Sequence, residues 1–364
     1  GKYRSIFVVN HGTLQQRLDQ LLGAIAEVYA STLMPDPISY RQRHDLLDFT
    51  ESMGILIQKL VGRTVGRYFL PTWAGVGFSW NPYRRNPRID PADGLARVVF
   101  GLGTRAVDRT AEDFPRMIPL GQPAVRTEAR TADLIRFSQH RADVIDLQEH
   151  RFRSVPVAEV MEQAGALPGA RQVFSLVKDG FLRPMMGDVL LDDPADLVVT
   201  FDGFTRTRSS TDTIRWALKT LERAYGCPVD IEFASDGEQL HLLQCRPQAV
   251  RGAERKVRVP ADVPAERRIF SAHRDIESAE VEDLELVVLV DPRDYVRLET
   301  EERRVAVAQV VSRLNTALAG RRFALLGPGR WGSKDTRLGV RIGYADLHNT
   351  RLLVEIARRQ GGYT

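Results

Sequence analysis

The sequence predicts an α/β (α+β) chain in two units, residues 1–250 and 251–364. Three observations carry that prediction. Stretches with apolar residues at every second position alternate with stretches at the helical spacing of 3.6. Composition changes after Pro247, where Arg251 to Arg268 is charged and proline-punctuated, as in a linker or an extended crossing segment. The remainder repeats strand and helix on a smaller scale, the pattern of a βαβ unit. A chain of 364 residues is long enough for two domains with sizeable cores.

The elements follow in order. Gly1-Lys2-Tyr3-Arg4-Ser5 leads into an apolar strand, Ile6 to Asn10. Leu14 to Thr32 is predicted as a helix, because Leu18, Leu21, Leu22, Ile25 and Val28 recur on one face. Pro35 and Pro37 break that pattern, and Asp45 to Phe49 reads as a short connection. Gly54 to Gly62, GILIQKLVG, reads as a buried strand interrupted by Gln58 and Lys59. Gly75 to Pro82 is a strand running into a turn, and Val98 to Gly103 is a strand ending in glycines that let backbone approach a ligand. Helix is expected near Val157–Ala164, strand near Val173–Val177 and Leu197–Phe201, and helix again over Ser210–Tyr225 with Ile214, Ala217, Leu218 and Leu221 on one face. In the second unit, Leu286–Val290 is a buried strand and Thr300–Leu318 a helix with Val307, Val310, Val311 and Leu314 inward. Phe323–Leu326 and Leu338–Ile342 are two further strands, and Asn349–Arg359 a last helix.

Composition narrows the function classes. Hydrophobic content of 43% and charged content of 27% are ordinary for a globular protein. The longest apolar runs are too short to span a bilayer, and no signal-peptide pattern opens the sequence, so no membrane partner is expected. The two cysteines, Cys227 and Cys245, imply neither a disulfide framework nor a thiolate metal cluster and fit a reducing cytoplasm. A balance of 51 basic against 47 acidic residues permits anionic partners without arguing for nucleic acid. Arginine pairs at Arg84-Arg85, Arg303-Arg304, Arg321-Arg322 and Arg358-Arg359 are scattered and lack the aromatic interleaving of a nucleic-acid face.

The chemistry concentrates in Val229 to Pro247. Val229, Ile231 and Phe233 alternate with Asp230 and Glu232, Ser235-Asp236-Gly237 supplies a turn, and Leu240 to Leu243 begin the return strand. A two-residue loop would pair Glu232 with His241 and turn Gln244 to the apolar face. An odd-numbered or bulged loop pairs Glu232 with Leu242 and Asp230 with Gln244, and then Asp230, Glu232, Gln244 and Arg246 face one way. Carboxylate oxygens suit Mg²⁺ and a guanidinium suits phosphate, but an ordinary amphipathic hairpin has the same pattern.

Asp230-Ile231-Glu232 and Leu243-Gln244-Cys245-Arg246-Pro247 resemble the end of the ATP-grasp nucleotide domain of the phosphoenolpyruvate synthase and pyruvate phosphate dikinase family, at that family's spacing. Further segments resemble the same domain in the same order: Ile38-Ser39-Tyr40-Arg41, the Gln58 strand, Gly75 to Pro82, Gly101-Leu102-Gly103, Asp108-Arg109 and Asp113 to Arg116. The resemblance implies an ATP-grasp-like nucleotide-binding domain followed by a small α/β domain, with ATP and Mg²⁺ as cofactors. It implies that Glu232 and Gln244 hold the metal on the phosphates and that Arg246 contacts phosphate; Asp230, on the same face, is the further candidate ligand. It further implies that the backbone of Gln58, Lys59 and Leu60 holds adenine, with Gly101 and Gly103 close by. Thr104 stands where the family has Glu, which puts a carboxylate role there in doubt.

In the family, a segment carrying a Lys and an R-S-x motif precedes the strand matched by the opening residues. The chain is therefore expected to be either a fragment of a longer protein or a remnant lacking half of the clamp. None of the seven histidines sits in the family's T-x-H-A/S phosphohistidine motif, Ser271-Ala272-His273-Arg274 included, and no barrel-sized segment remains. The implied function is an ATP-dependent phosphotransferase module whose acceptor is a histidine on another domain or chain, or a small molecule. The alternative is a catalytically inactive nucleotide-binding regulatory or scaffold module. Gly327 to Lys334, GPGRWGSK, misses the Walker spacing and is either an anion cradle or a glycine turn covered by Trp331. It resembles G-P-G-R-W-G-S segments in bacterial proteins that join a dikinase-like domain to such a tail.

Overall fold

Thr13 opens the first helix. Its hydroxyl accepts the Gln16 N–H at 3.2 Å, while the Gln16 side chain accepts from the Thr13 N–H at 2.9 Å, a reciprocal cap. Helix α1 covers Leu14–Ala30 and a 3-10 turn at Ser31–Leu33 leads into α2, Pro35–Arg43. Pro35 sits at the first helical position, where no N–H is required, so the prolines that end one helix begin the next. The computed structural model describes residues 3–43, 46–47, 52–81, 89–107, 114–126, 130–188, 193–248, 262–268, 281–333, 335–343, 346–356, 358–359 and 362–363. Most of Asp45–Phe49, the stretch Asp108-Arg109 to Asp113 and most of Arg251–Arg268 lie outside the described residues, as do Pro82 and Lys334.

The buried strand expected at Gly54–Gly62 is not there. The segment forms no ladder, and Leu56 and Ile57 are 75% and 62% exposed. The regular strands start after it, with β1 (Arg63–Val65), β2 (Tyr68–Leu70), β3 (Trp73–Phe78), β4 (Leu95–Val99) and β5 (Arg116–Pro119). Between the last two lies α3, Thr104–Val107. After α4 (Thr131–Arg136) come β6 (Arg141–Asp146) and β7 (Arg151–Pro156), a hairpin that the sequence reading did not separate from its surroundings. The three expected elements of this region then appear as α5 (Val157–Met161), β8 (Phe174–Lys178) and β10 (Leu197–Val199), with an unexpected short helix α6 (Ala170–Val173) before β8 and an unexpected strand β9 (Phe181–Pro184) after it. Helices α7 (Asp202–Thr207) and α8 (Ser209–Tyr225) lead to β11 (Val229–Ser235) and β12 (Leu240–Pro247).

The chain is α+β. Its central sheet is antiparallel throughout, in the order β12-β11-β3-β4-β5. One face packs on α8, whose Ile214 and Leu218 meet Ile231 over Gly77. Trp73 closes that side, edge-on to Phe204 at 5.0 Å and to Phe233 at 5.9 Å. The opposite face is covered at one end by α3, where Ala106 packs with Val76, Val99 and Phe78. The remainder of that face carries the polar side chains of the hairpin. A second sheet, β1-β2-β6-β7, lies beside it, linked by the bridge from Gly101 to Asp143.

The tail has its own apolar core and a three-stranded parallel sheet, β13 (Leu286–Leu289), β14 (Phe323–Pro328) and β15 (Leu352–Ile356). Helix α9 (Pro292–Val296) and helix α10 (Glu301–Ala317) connect the first two strands. Several expectations are corrected. β13 is half exposed, with Val287 and Leu289 outward, because it is an edge strand. The inward face of α10 is Val307, Ala308, Val311 and Asn315, whereas Val310 and Leu314 point out. Asn315 is tolerated inside because it accepts the Asn349 N–H at 3.0 Å and its carbonyl accepts the Asn349 amide. Leu338–Ile342 is a buried loop with a single bridge, Gly339 to Gly329, and Asn349–Arg359 contributes a strand, not a helix.

The Gly327–Ser333 part of the glycine loop is a covered turn. The Trp331 ring lies on Gly327, its indole N–H donates to the Val354 carbonyl at 3.1 Å, and its amide donates to the Glu355 carboxylate at 3.1 Å.

Candidate functional site: the polar face of a bulged hairpin

Ser235 pairs with Leu240, so the hairpin closes through four residues, Asp236 to Gln239. The Asp236 side chain accepts the amides of Glu238 at 3.1 Å and Gln239 at 2.9 Å, which folds the loop on itself. Burial alone would raise this carboxyl; those two amides and the charge of Arg63 outweigh it and hold the group below its ordinary value. A loop of even length would send Gln244 to the apolar face. A β-bulge between Glu232 and Phe233 prevents this by leaving Leu243 without a partner. The register therefore pairs Glu232 with Gln244 and Asp230 with Arg246, which corrects the expected Glu232–Leu242 and Asp230–Gln244 pairs. The shared face of all four side chains is as expected, reached by a bulge in the strand and an even loop.

Asp230 is 8% exposed, and Arg246 donates to its carboxylate at 2.6 Å from Nε. That hydrogen bond, with the charges of Asp230 and Glu232, pushes the Arg246 guanidinium up against the cost of desolvation. Arg246 thus has one edge on Asp230 and half of its side chain exposed. Glu232 is half-buried and makes no ion pair with a described residue, and Gln244 is exposed beside it. Among the described residues no three acidic, histidine or cysteine side chains cluster as a metal cage. Two carboxylates and an amide oxygen fit Mg²⁺ all the same, because that ion takes few protein ligands and completes its shell with substrate phosphates and water.

The other predicted residues gather at the same hairpin. The Gln58 side chain donates to the Leu243 carbonyl at 2.9 Å, the group the bulge releases from the ladder. Lys59 is exposed, and Leu60 packs on a small cluster that contains Leu102, between Gly101 and Gly103. The segment from Gln58 to Leu60 thus spans from the bulge to the glycine turn, but as an irregular stretch. The two glycines differ. Gly101 has φ +84, and a Cβ there would stand 2.7 Å from the Asp143 carbonyl oxygen, so the close approach is to β6 backbone. Gly103 would bring a Cβ only to ordinary contact with Ala74 at 3.5 Å. Gly101→Ala is expected to destabilise the fold by about 2 kcal/mol, and Gly103→Ala by about 1 kcal/mol or less. Denaturant unfolding of the two variants measures the contrast, and equal costs would refute this assignment of the close approach.

Two features at the site were missed. Thr104, in the place of a glutamate, donates to Asp143 at 2.6 Å, and Arg105 donates to the same carboxylate at 2.8 Å. A carboxylate therefore does reach this turn, contributed by β6 and neutralised by Arg105. The second is Arg97 on β4, which shares the site face. The Glu232–Gln244 row continues across the sheet through Val76 to Arg97. The available signal was one charge within Leu95 to Phe100, otherwise apolar, at even spacing from Leu95 and Val99.

The central antiparallel sheet of this α+β fold thus presents carboxylates, an amide and a guanidinium on one face. Residues 1–267 match the family model of the pyruvate phosphate dikinase AMP/ATP-binding domain. The chain belongs to that family, and ATP is the ligand that membership supports. No curated protein matches the chain.

Proposed function

We propose that the chain uses MgATP as the nucleotide half of a phosphotransfer reaction. Residues 1–250 would form an ATP-grasp-like nucleotide unit and residues 251–364 a separate small α/β unit. The carrying observation is the pairing of Glu232 with Gln244 and of Asp230 with Arg246 on one sheet face. Glu232 and Gln244, with the outer oxygen of Asp230, would hold Mg²⁺ against the phosphates. The ion would neutralise phosphate charge, which is most of what phosphoryl transfer asks of a protein. Arg246, anchored through Nε on Asp230, would present its terminal nitrogens to the transferring group. The backbone of Gln58, Lys59 and Leu60 would receive adenine, beside the Gly101–Gly103 turn on whose Leu102 cluster Leu60 packs. The acceptor would be a histidine on another domain or protein, or a small molecule.

The test is ATP turnover by the purified chain with Mg²⁺ and with chelator, with product identified. A metal-dependent product supports the reading: ADP means simple kinase chemistry and AMP dikinase chemistry. Tight ATP binding without turnover, with or without candidate acceptors, would support the nucleotide-binding regulatory module in its place.

A further inference from the structure

We propose that the tail carries a phosphate-binding site of its own, a cavity of about 230 Å³ lined by Gly320, Arg321, Arg322, Asn349 and Arg351. It lies at the starting ends of β14 and β15, whereas the Gly327–Ser333 turn lies at the far end of β14, and it shares no residue with the hairpin face. Three elements bring its residues together. Gly320 and Arg321 belong to the turn that follows α10, and Arg322 immediately precedes β14. Arg351 immediately precedes β15, and its amide donates to the Phe323 carbonyl at 3.0 Å, so Arg322 and Arg351 lead into neighbouring strands. Asn349 is held on the buried Asn315 of α10 by two hydrogen bonds of 3.0 Å, which ties the turn before Arg351 to the end of that helix. Gly320 has φ +82, and nothing stands within 4 Å of the place a Cβ would take, so the backbone of this turn is open on that side.

The charge around the cavity is one-sided. Arg321 pairs with Glu285, and Arg322 pairs with Asp283 at 3.2 Å and with Glu285 at 3.9 Å. Both carboxylates precede β13, on the opposite side of β14 from Arg351, and neither lines the cavity. Arg351 is exposed and makes no ion pair or side-chain hydrogen bond with a described residue. Three guanidiniums thus share two carboxylates, and the one left without a carboxylate lines the cavity. Like charges gathered at one opening repel, and a bound anion relieves that repulsion. A guanidinium also presents paired N–H donors that match the oxygens of a phosphate. Pockets for larger ligands run from about 300 Å³ upward, so this volume suits a phosphate group with little attached and not a whole nucleotide. The ligand class is inorganic phosphate or a small phosphomonoester, bound through its phosphate.

The experiment titrates inorganic phosphate and phenyl phosphate into the full chain at low salt, in wild type, Arg351→Gln, Arg351→Lys and Arg246→Met, with thermal melts of all four. Arg351→Gln is expected to melt like wild type and to lose about tenfold or more in affinity for the tighter probe, the range of a charge-assisted hydrogen bond. Arg351→Lys should recover part of the loss, and Arg246→Met should keep the binding that depends on Arg351. Tighter binding of phenyl phosphate makes a phosphorylated small molecule the ligand, and tighter binding of inorganic phosphate makes it the free ion. An Arg351→Gln protein that is folded and binds both probes like wild type overturns the proposal. A loss confined to Arg246→Met overturns it as well, since it assigns the anion to the hairpin. A wild-type chain that binds neither probe also overturns it.

Discussion

Glu232→Ala is expected to reduce Mg²⁺-dependent ATP turnover by about 10²–10³-fold, the scale of losing one group that stabilises charge in a transition state. The geometry singles out Glu232 among the polar residues of the face. Asp230 is already engaged by Arg246, whereas Glu232 makes no ion pair with a described residue and stands directly opposite Gln244. Its removal costs the fold little, because no structural partner is stranded. The measurement is turnover against Mg²⁺ concentration, with ATP binding followed in parallel with and without chelator. The variant should bind ATP in chelator as wild type does and should lose the strengthening that Mg²⁺ brings. Unchanged turnover would remove the metal role from Glu232.

The largest effect on stability is expected from Asp146. Its side chain has no solvent exposure, and it accepts from Arg67 at 3.2 Å, Arg153 at 3.0 Å and the amides of Gln148 and Glu149 at 3.0 and 2.9 Å. Burial alone would raise this carboxyl. The Arg67 hydrogen bond, the Glu149 amide and Arg153 outweigh that and hold it far below the usual carboxylate range. Asp146→Ala leaves Arg67 and Arg153 sharing Glu149 alone and strands the Gln148 and Glu149 amides at the join of β2 with β6, and should cost about 3 kcal/mol. The sign of the pH dependence follows from the depressed value. The folded carboxylate binds its proton less readily than the unfolded one, whose pKa is about 3.9. Its stabilisation is complete above that value and is lost as pH falls through the folded one. Denaturant unfolding at neutral pH and in acid should show the gap between wild type and variant narrowing in acid. A gap that is constant with pH would mean that Asp146 acts through packing.

The hairpin was legible because alternation fixes which side chains share a face, and Asp230, Glu232, Gln244 and Arg246 do share one. Their partners were off by two residues because a bulge has no composition of its own; Leu243 is as apolar as its neighbours. Gly54–Gly62 misled for a related reason. Apolar residues make a strand only where another strand supplies hydrogen bonds, and among the described residues none pairs with this stretch. At the C-terminus, Leu352 to Ile356 alternates in burial, yet the longer window from Asn349 to Arg359 mimics helical spacing. The face of α10 went wrong at Val310 and Leu314 because polarity does not rank positions on a helix whose buried row includes Asn315. Arg97 went unnoticed because the strand was read from Val98 onward, and only the order of strands places β4 two strands from the hairpin.

The bulge at Leu243 also separates the length of the hairpin tip from the alignment of the polar pairs beneath it. Pairs near the loop run in one alignment, Ser235 with Leu240 to Phe233 with Leu242, and pairs at the polar face run in the next. If one residue were deleted from the tip, the slack at Leu243 could be taken up and a four-residue loop kept. Asp230 would still lie opposite Arg246 and Glu232 opposite Gln244. The outer end of this hairpin can therefore drift in length over evolutionary time, by one residue, while the chemistry at its base stays in phase.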